Sequence, residues 1–418
     1  MPAKVKFVLP FVLITSLFFL WGIAHNFNPI LIPHLKKACQ LTDAQSALID
    51  SAFFIGYFLM ALPAGFIMKR AGYKSGILIG LLLFAFGAFL FYPAAEYLSY
   101  AVFLTALFII ASGLTFLETA ANPYITVLAH KGHETQMLNL AQSFNGLAAT
   151  IAPLIGGLFI LSGKSISEGS ANMNEAQLHE YLTEEARSVQ IPYIVIGVVV
   201  LLVALLLWRT KLPEIKAEDE KETQEARGSI WQQKKLMFGV VAQFFYVGAQ
   251  VCISSFFIRF AFQTAAIPEK SAAYFLSLAL FGFMAGRFIG TFLMKYIAPA
   301  KLLLLYSVIC VALLVMAVYT SGMVSVYALI GVQFFMSIMF PTIFSLSIEG
   351  LGGHTKLGSS LIVMAIAGGA IFPVLMGKIS DMSSIQQAYL VPAACFFVIL
   401  AFAWSLRNSN AQVVAAAH

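Results

Sequence analysis

Residues 191–208 read IPYIVIGVVVLLVALLLW, a stretch without a charged side chain that stops at Arg209 and Lys211. A bilayer core takes about 20 apolar residues per helix, and helices satisfy every backbone polar group internally. The stretch therefore reads as a membrane-spanning helix held at one end by cations. Working outward, comparable apolar runs occupy 7–32, 44–68, 75–95, 98–129, 139–161, 190–208, 236–262, 271–295, 302–321, 324–348, 357–379 and 386–406. The expectation is an all-α membrane protein with twelve transmembrane helices. Composition agrees: 60% of the chain is hydrophobic and only 11% charged, against roughly 25% charged in a soluble domain. The surplus apolar surface belongs against lipid.

Charge placement sets the expected orientation. With the N-terminus inside, the inner segments hold Lys4, Lys6, Lys69, Arg70, Lys74, Lys131, Arg209, Lys211, Lys216, Lys221, Arg227, Lys234, Lys235, Lys295, Lys301, Lys356 and Arg407. The outer ends and loops hold fewer cations: Lys36, Lys37, Lys164, Arg187, Arg259, Lys270 and Lys378. Such a bias places both termini in the cytoplasm. Lys4 and Lys6 precede an apolar run longer than a signal-peptide core, with no small-x-small cleavage site, so the first run is expected to stay as a span. No basic block of nucleic-acid type appears. The cysteines Cys39, Cys252, Cys310 and Cys395 lie far apart, mostly inside apolar runs, without metal-ligand spacing. They read as small buried hydrophobes.

Two polar stretches punctuate the pattern. Residues 162–189, with Glu168, Glu175, Glu180, Glu184 and Glu185, read as an outer loop with a short helix. Residues 209–235 mix both signs, as at Glu218, Asp219, Glu220 and Lys221. They divide the chain into a six-helix bundle over 1–208 and a second over 236–418. A long charged connector suits two pseudo-repeated bundles that rock against each other, with a transport path between them near mid-membrane. After the second span comes Gly65-Phe66-Ile67-Met68-Lys69-Arg70-Ala71-Gly72-Tyr73-Lys74, and after the eighth Gly290-Thr291-Phe292-Leu293-Met294-Lys295-Tyr296. The first has two readings, a basic inner-membrane anchor or a conformational loop motif in which Lys69, Arg70, Gly72 and Lys74 matter.

Among the acids, Glu118 stands out. It lies deep in the fourth span, in Leu117-Glu118-Thr119-Ala120-Ala121-Asn122-Pro123-Tyr124. A carboxylate in hydrocarbon costs several kcal/mol unless it is protonated, paired or hydrated. Its readings are a proton site, an acceptor for sugar hydroxyls, or a permanently neutral acid bonding two helices. The next span opens Asn139-Leu140-Ala141-Gln142-Ser143-Phe144-Asn145, and Gln142 and Asn145 share a helix face. Amides offer donor and acceptor together, which suits sugar hydroxyls, and they serve equally as helix–helix glue. The first span holds Trp21-Gly22-Ile23-Ala24-His25-Asn26-Phe27-Asn28-Pro29. An indole beside amides is a common way to hold a sugar ring. Arg287, in the eighth span, either pairs as part of a gate or snorkels to the inner surface. Gly65, Gly80, Gly87 and Gly368-Gly369 adjoin no GKS/T sequence and point to close helix packing. No catalytic triad, metal motif or nucleotide fingerprint stands at a water-facing site, so an enzyme is the weakest class.

Several of these pieces together resemble the fucose–galactose–glucose:proton symporter branch of the major facilitator superfamily. They are Phe18-Phe19-Leu20-Trp21, Leu117–Pro123, Asn139–Asn145, Tyr246-Val247-Gly248-Ala249-Gln250 and Pro341-Thr342-Ile343-Phe344-Ser345-Leu346. The loop Gly65–Lys74 is similar to the superfamily signature G-x-x-x-D-R/K-x-G-R-R/K, with Lys69 for the acid and Tyr73 for a cation. The resemblance implies two six-helix bundles of the major facilitator fold, a bacterial inner-membrane location, and proton-driven uptake of a monosaccharide. It implies no cofactor beyond the proton gradient, with sugar, protons and lipids as partners and a monomer as the working form. Glu118 matches the family's proton-coupling glutamate. Trp21, Asn26, Gln142 and Asn145 match sugar-cavity positions, with Asn28, Asn122, Gln250 and Phe340 as further candidates. The family motif N-x-N-D ends here on Pro29, so one carboxylate is gone, and His25 replaces an asparagine. Asp50 or His25 is the candidate to take over that role. Met339-Phe340 replaces a Gln-Tyr pair. Two rival expectations are an uncoupled facilitator for glucose, galactose or an amino sugar, and a sugar sensor built on a transporter fold.

Overall fold

The computed structural model describes residues 8–41, 43–130, 132–159, 174–210 and 229–407. Most of the connector 209–235 and the cations Lys4, Lys6, Lys131 and Lys164 lie outside the described residues, as do the side chains of Asn28 and Asp50.

The first half contains α1 (Val8–Asn26), α2 (Asn28–Ala38), α3 (Asp43–Glu96), α4 (Tyr100–Leu128), α5 (Glu134–Phe159), α6 (Glu175–Arg187) and α7 (Gln190–Arg209). The second contains α8 (Lys234–Ser255), α9 (Phe257–Ala265), α10 (Glu269–Leu293), α11 (Pro299–Tyr319), α12 (Met323–Met336), α13 (Met339–Ile348), α14 (Thr355–Met364), α15 (Gly368–Met382), α16 (Ile385–Ala388) and α17 (Leu390–Leu406). Among the described residues, nine helical stretches are long and apolar enough to cross a membrane, and Phe11–Asn26 adds a shorter one. On α7 the large side chains Val195, Leu202, Leu206 and Trp208 remain more than half exposed. An apolar helix open on that face needs lipid against it.

Cα packing divides the chain into two compact units, Met1–Ala121 with Leu147–Glu214, and Asn122–Gly146 with Ile215–His418. In the first, Pro29 lacks a backbone donor and sits at the start of α2, so the first span breaks at Phe27. α3 holds two spans joined at Gly72, whose φ of 82° and ψ of 170° suit glycine alone. Lys74 then donates to the carbonyls of Trp208 at 2.8 Å and Thr210 at 2.9 Å. A cation there complements the negative end of α7. The expected short helix of the outer loop is α6, opened by a reciprocal cap between Asn174 and Gln177. It is tied down by the Lys37–Glu185 ion pair at 3.0 Å and by Lys37 over the Tyr181 ring at 5.2 Å. Phe91 on α3 stacks on Tyr193 of α7 at 3.6 Å and meets Phe103 of α4 edge-on at 5.4 Å.

In the second unit several spans are discontinuous. One breaks at Phe256 between α8 and α9, and one at Ser337-Ile338 between α12 and α13. Breaks expose carbonyls that hydrocarbon cannot satisfy. Tyr389 donates to Ile253 O at 3.3 Å, Tyr246 to Met336 O at 3.0 Å, and Arg287 to Ser337 O at 2.7 Å.

Candidate functional site

In the first unit, small residues bring α3 and α4 together. A Cβ on Gly56 would lie 2.8 Å from Ala111 Cβ, and one on Gly113 would lie 2.6 Å from the Gly80 carbonyl. This approach carries Tyr57 to Glu118. The Tyr57 hydroxyl donates to Glu118 Oε1 at 3.0 Å, and both side chains are buried. Glu118 Oε2 has no hydrogen-bond partner among the described residues. The Tyr57 ring rests on Phe53 at 5.4 Å, and Phe53 on His25 at 5.1 Å. His25 is exposed, whereas its neighbours Trp21, Gly22, Ile23, Ala24 and Phe27 are buried. Trp21 packs against Phe18 at 4.2 Å and is 2% exposed. Asn26 uses its amide Nδ2 on the Gly22 carbonyl at 2.7 Å, which leaves its Oδ1 for another donor.

The second unit holds the amides. Gln142 Nε2 donates to Asn122 Oδ1 at 3.0 Å. Arg287 is 3% exposed and donates through its second nitrogen to the Gln142 carbonyl at 2.8 Å, with its guanidinium 4.6 Å over the Phe283 ring. It has not snorkelled: its guanidinium bonds two main-chain carbonyls and lies over an aromatic ring. Asn139 bonds the Thr342 hydroxyl at 3.1 Å and Thr135 meets Ser345 at 2.9 Å. Asn145, Gln250 and Phe340 are half-buried, with Phe340 6.4 Å from the Tyr246 ring. Lys69 and Arg70 are exposed.

Two residues escaped the sequence reading. Tyr57 was one tyrosine in an apolar span, and nothing in the spacing tied it to Glu118. Gln243 lies two helical turns before Gln250 on the same face of α8, a seven-residue spacing that was visible. It is fully buried, and neither of its amide atoms has a partner among the described residues.

The sequence profile of the Major Facilitator Superfamily matches residues 11–369. The chain belongs to the Major Facilitator Superfamily. This facilitator is 44% identical to the L-fucose-proton symporter of Escherichia coli over 95% of its own length and 93% of the relative's. It is 40% identical to the glucose/galactose transporter of Brucella abortus, covering 92% and 91% of the two chains. The crystal structure of a major facilitator transporter, FucP, in the outward conformation superposes with a TM-score of 0.88 at 44% identity, over 95% of this chain and 98% of that one. The major facilitator fold, twelve helices in two bundles of six, is therefore the fold of this chain.

Proposed function

We propose that this facilitator is a secondary active transporter that carries a monosaccharide of the fucose or hexose type together with a proton, by alternating access. The observation that carries the reading is Glu118, a carboxyl buried in an apolar span with one oxygen bonded and the other, also buried, without a hydrogen-bond partner among the described residues. Such a group is tolerated in hydrocarbon when it serves a proton or polar cargo. The relatives are named for sugar–proton symport and for glucose/galactose transport, which supports the cargo class.

In this reading the proton gradient is the driving force and no cofactor is needed. Protonation of Glu118 favours the loaded form that reorients, and deprotonation follows inward release. The sugar's apolar face rests on Trp21. Its hydroxyls meet Asn26, Asn28, Gln142, Asn145 and Gln250, with Asn122 orienting Gln142 and Phe340 adding apolar surface. His25, exposed within the first span, or Asp50 takes over part of the role that Pro29 cannot fill. The positive-inside bias puts both termini in the cytoplasm of a bacterial inner membrane.

Uptake of labelled L-fucose, D-galactose and D-glucose into proteoliposomes, at acidic and alkaline external pH, tests this. One sugar is expected to accumulate against its gradient only when the outside is acidic. Pro29 in place of an acid favours a second reading, uncoupled facilitation of glucose or galactose. Equilibration without alkalinisation of the medium on sugar addition would establish that reading instead.

A further inference from the structure

We propose that Tyr57 is a positioning residue for proton coupling: its phenol reserves one oxygen of the Glu118 carboxyl, so that proton and cargo meet at the other. The proposal rests on the coupling role of Glu118 given above and adds how the carboxyl is divided.

The geometry is specific. The phenol O–H donates to Oε1 at 3.0 Å across two helices, from a position 61 residues away in sequence. Tyr57 is among the most deeply buried large side chains of the chain, and its ring is held by Phe53 at 5.4 Å. Its hydroxyl therefore has little freedom to turn elsewhere. Oε2 has no partner among the described residues. The nearby hydroxyls of α4 are already engaged: Thr115 donates to the Ala111 carbonyl at 2.7 Å and Thr119 to the Thr115 carbonyl at 2.7 Å. Among the described side chains, the titratable groups on this face are Tyr57 from α3 and, one ring further on, His25 from α1. Among the described residues no lysine or arginine bonds the carboxyl.

A hydrogen bond donated to a carboxyl stabilises its charged form more than its neutral form. With Oε1 occupied, the proton is added to and lost from Oε2. When neutral, the Oε2 hydroxyl donates to a sugar oxygen; when charged, Oε2 accepts from a sugar hydroxyl. Tyr57 thus makes discharge easier without touching the cargo. Glu118 is the group that reacts, and Tyr57 acts through it.

Tyr57→Phe removes one oxygen and keeps the ring, so the packing on Phe53 survives. The measurement is uptake of an equimolar mixture of labelled L-fucose, D-galactose and D-glucose as external pH is raised, alongside sugar exchange in acid. Tyr57→Phe is expected to move the alkaline limb of uptake upward by about one pH unit, a tenfold change in proton affinity. Exchange in acid is expected to stay within about twofold of the parent, since proton transfer does not limit it. Phe53→Leu, which loosens the ring without deleting the hydroxyl, is expected to shift the limb in the same direction by less. Glu118→Gln is the control and should flatten the profile. A flat Glu118→Gln with an unshifted Tyr57→Phe limb, or one changed only in amplitude, overturns the assignment of Tyr57. If Glu118→Gln keeps a normal limb, the coupling role of Glu118 itself falls, and the proposal with it.

Discussion

Arg287 donates a 2.8 Å hydrogen bond to the main-chain carbonyl of Gln142, the residue whose side chain holds Asn122. The same guanidinium bonds the carbonyl freed by the break at Ser337. One buried cation therefore fixes both a helix discontinuity and an amide pair. A lysine, with its compact ammonium, lacks the fork that reaches both carbonyls. Arg287→Lys is expected to slow uptake at least tenfold. It should also lower the thermal midpoint of the purified protein, because an orphaned buried carbonyl costs about 1–3 kcal/mol. Parent-like uptake would remove Arg287 from the transport cycle.

Glu118→Gln keeps the shape and hydrogen-bonding capacity of the side chain and deletes its charge. Uphill accumulation should vanish while exchange of sugar down its gradient persists. Proteoliposome uptake with and without an imposed proton gradient separates the two, and full accumulation by the variant would refute the coupling role.

The Gln142–Asn122 pair presents one oriented amide rather than two free ones. Gln142→Leu leaves Asn122 Oδ1 without its donor and is expected to weaken sugar binding about tenfold, equivalent to about 1.4 kcal/mol. Equilibrium binding measures it, and unchanged affinity would make the pair structural.

Gly72 occupies a backbone region that side chains avoid, with φ at 82°. Its Cβ would meet open space, so the penalty of Gly72→Ala is conformational and not steric. About 1–3 kcal/mol of stability should be lost. Thermal unfolding in detergent reads this directly, and a parent-like midpoint would contradict the backbone argument.

His34 lies beyond the first span, 1% exposed, with Glu185 at 3.6 Å and Ser188 at 3.4 Å. Burial pushes its pKa down to about 4, Glu185 opposes that, and Lys37 adds to it. The imidazole is therefore neutral near pH 7, and the ionic contact is Lys37–Glu185. Because the folded form resists protonation more than the unfolded chain does, stability falls as pH drops from 6.5 toward 4. His34→Gln should shrink the decline in thermal midpoint across that window. An identical decline in both proteins would show that other groups govern it.

The spans and the glycine loop were legible because hydropathy and backbone preference act locally. Glu118 was legible for a related reason, since a carboxyl in an apolar run is conspicuous wherever its side chain points. Tyr57 was not, because its role depends on α3 and α4 approaching at Gly56, Gly80 and Gly113, and contact between distant segments leaves no periodic trace. Arg287 shows the intermediate case. Its presence within a span signalled an obligation, but its partners are main-chain carbonyls, which every residue carries and no sequence distinguishes. Pro29 stands where the resemblance implies an acid, and in the structure it marks where the first span is interrupted.

The interruptions at Phe27, Phe256 and Ser337-Ile338 have a mechanical meaning. An unbroken helix must rupture several of its own bonds to bend, whereas these three spans carry their joints already cut, and two of them are fastened by neighbouring groups. At Ser337 the fastener is a guanidinium and at Phe256 a phenol, side-chain contacts whose exchange would melt no turn of helix. Swinging such a segment becomes an exchange of a few side-chain contacts, an inexpensive motion for a machine that must repeat it with every molecule it carries.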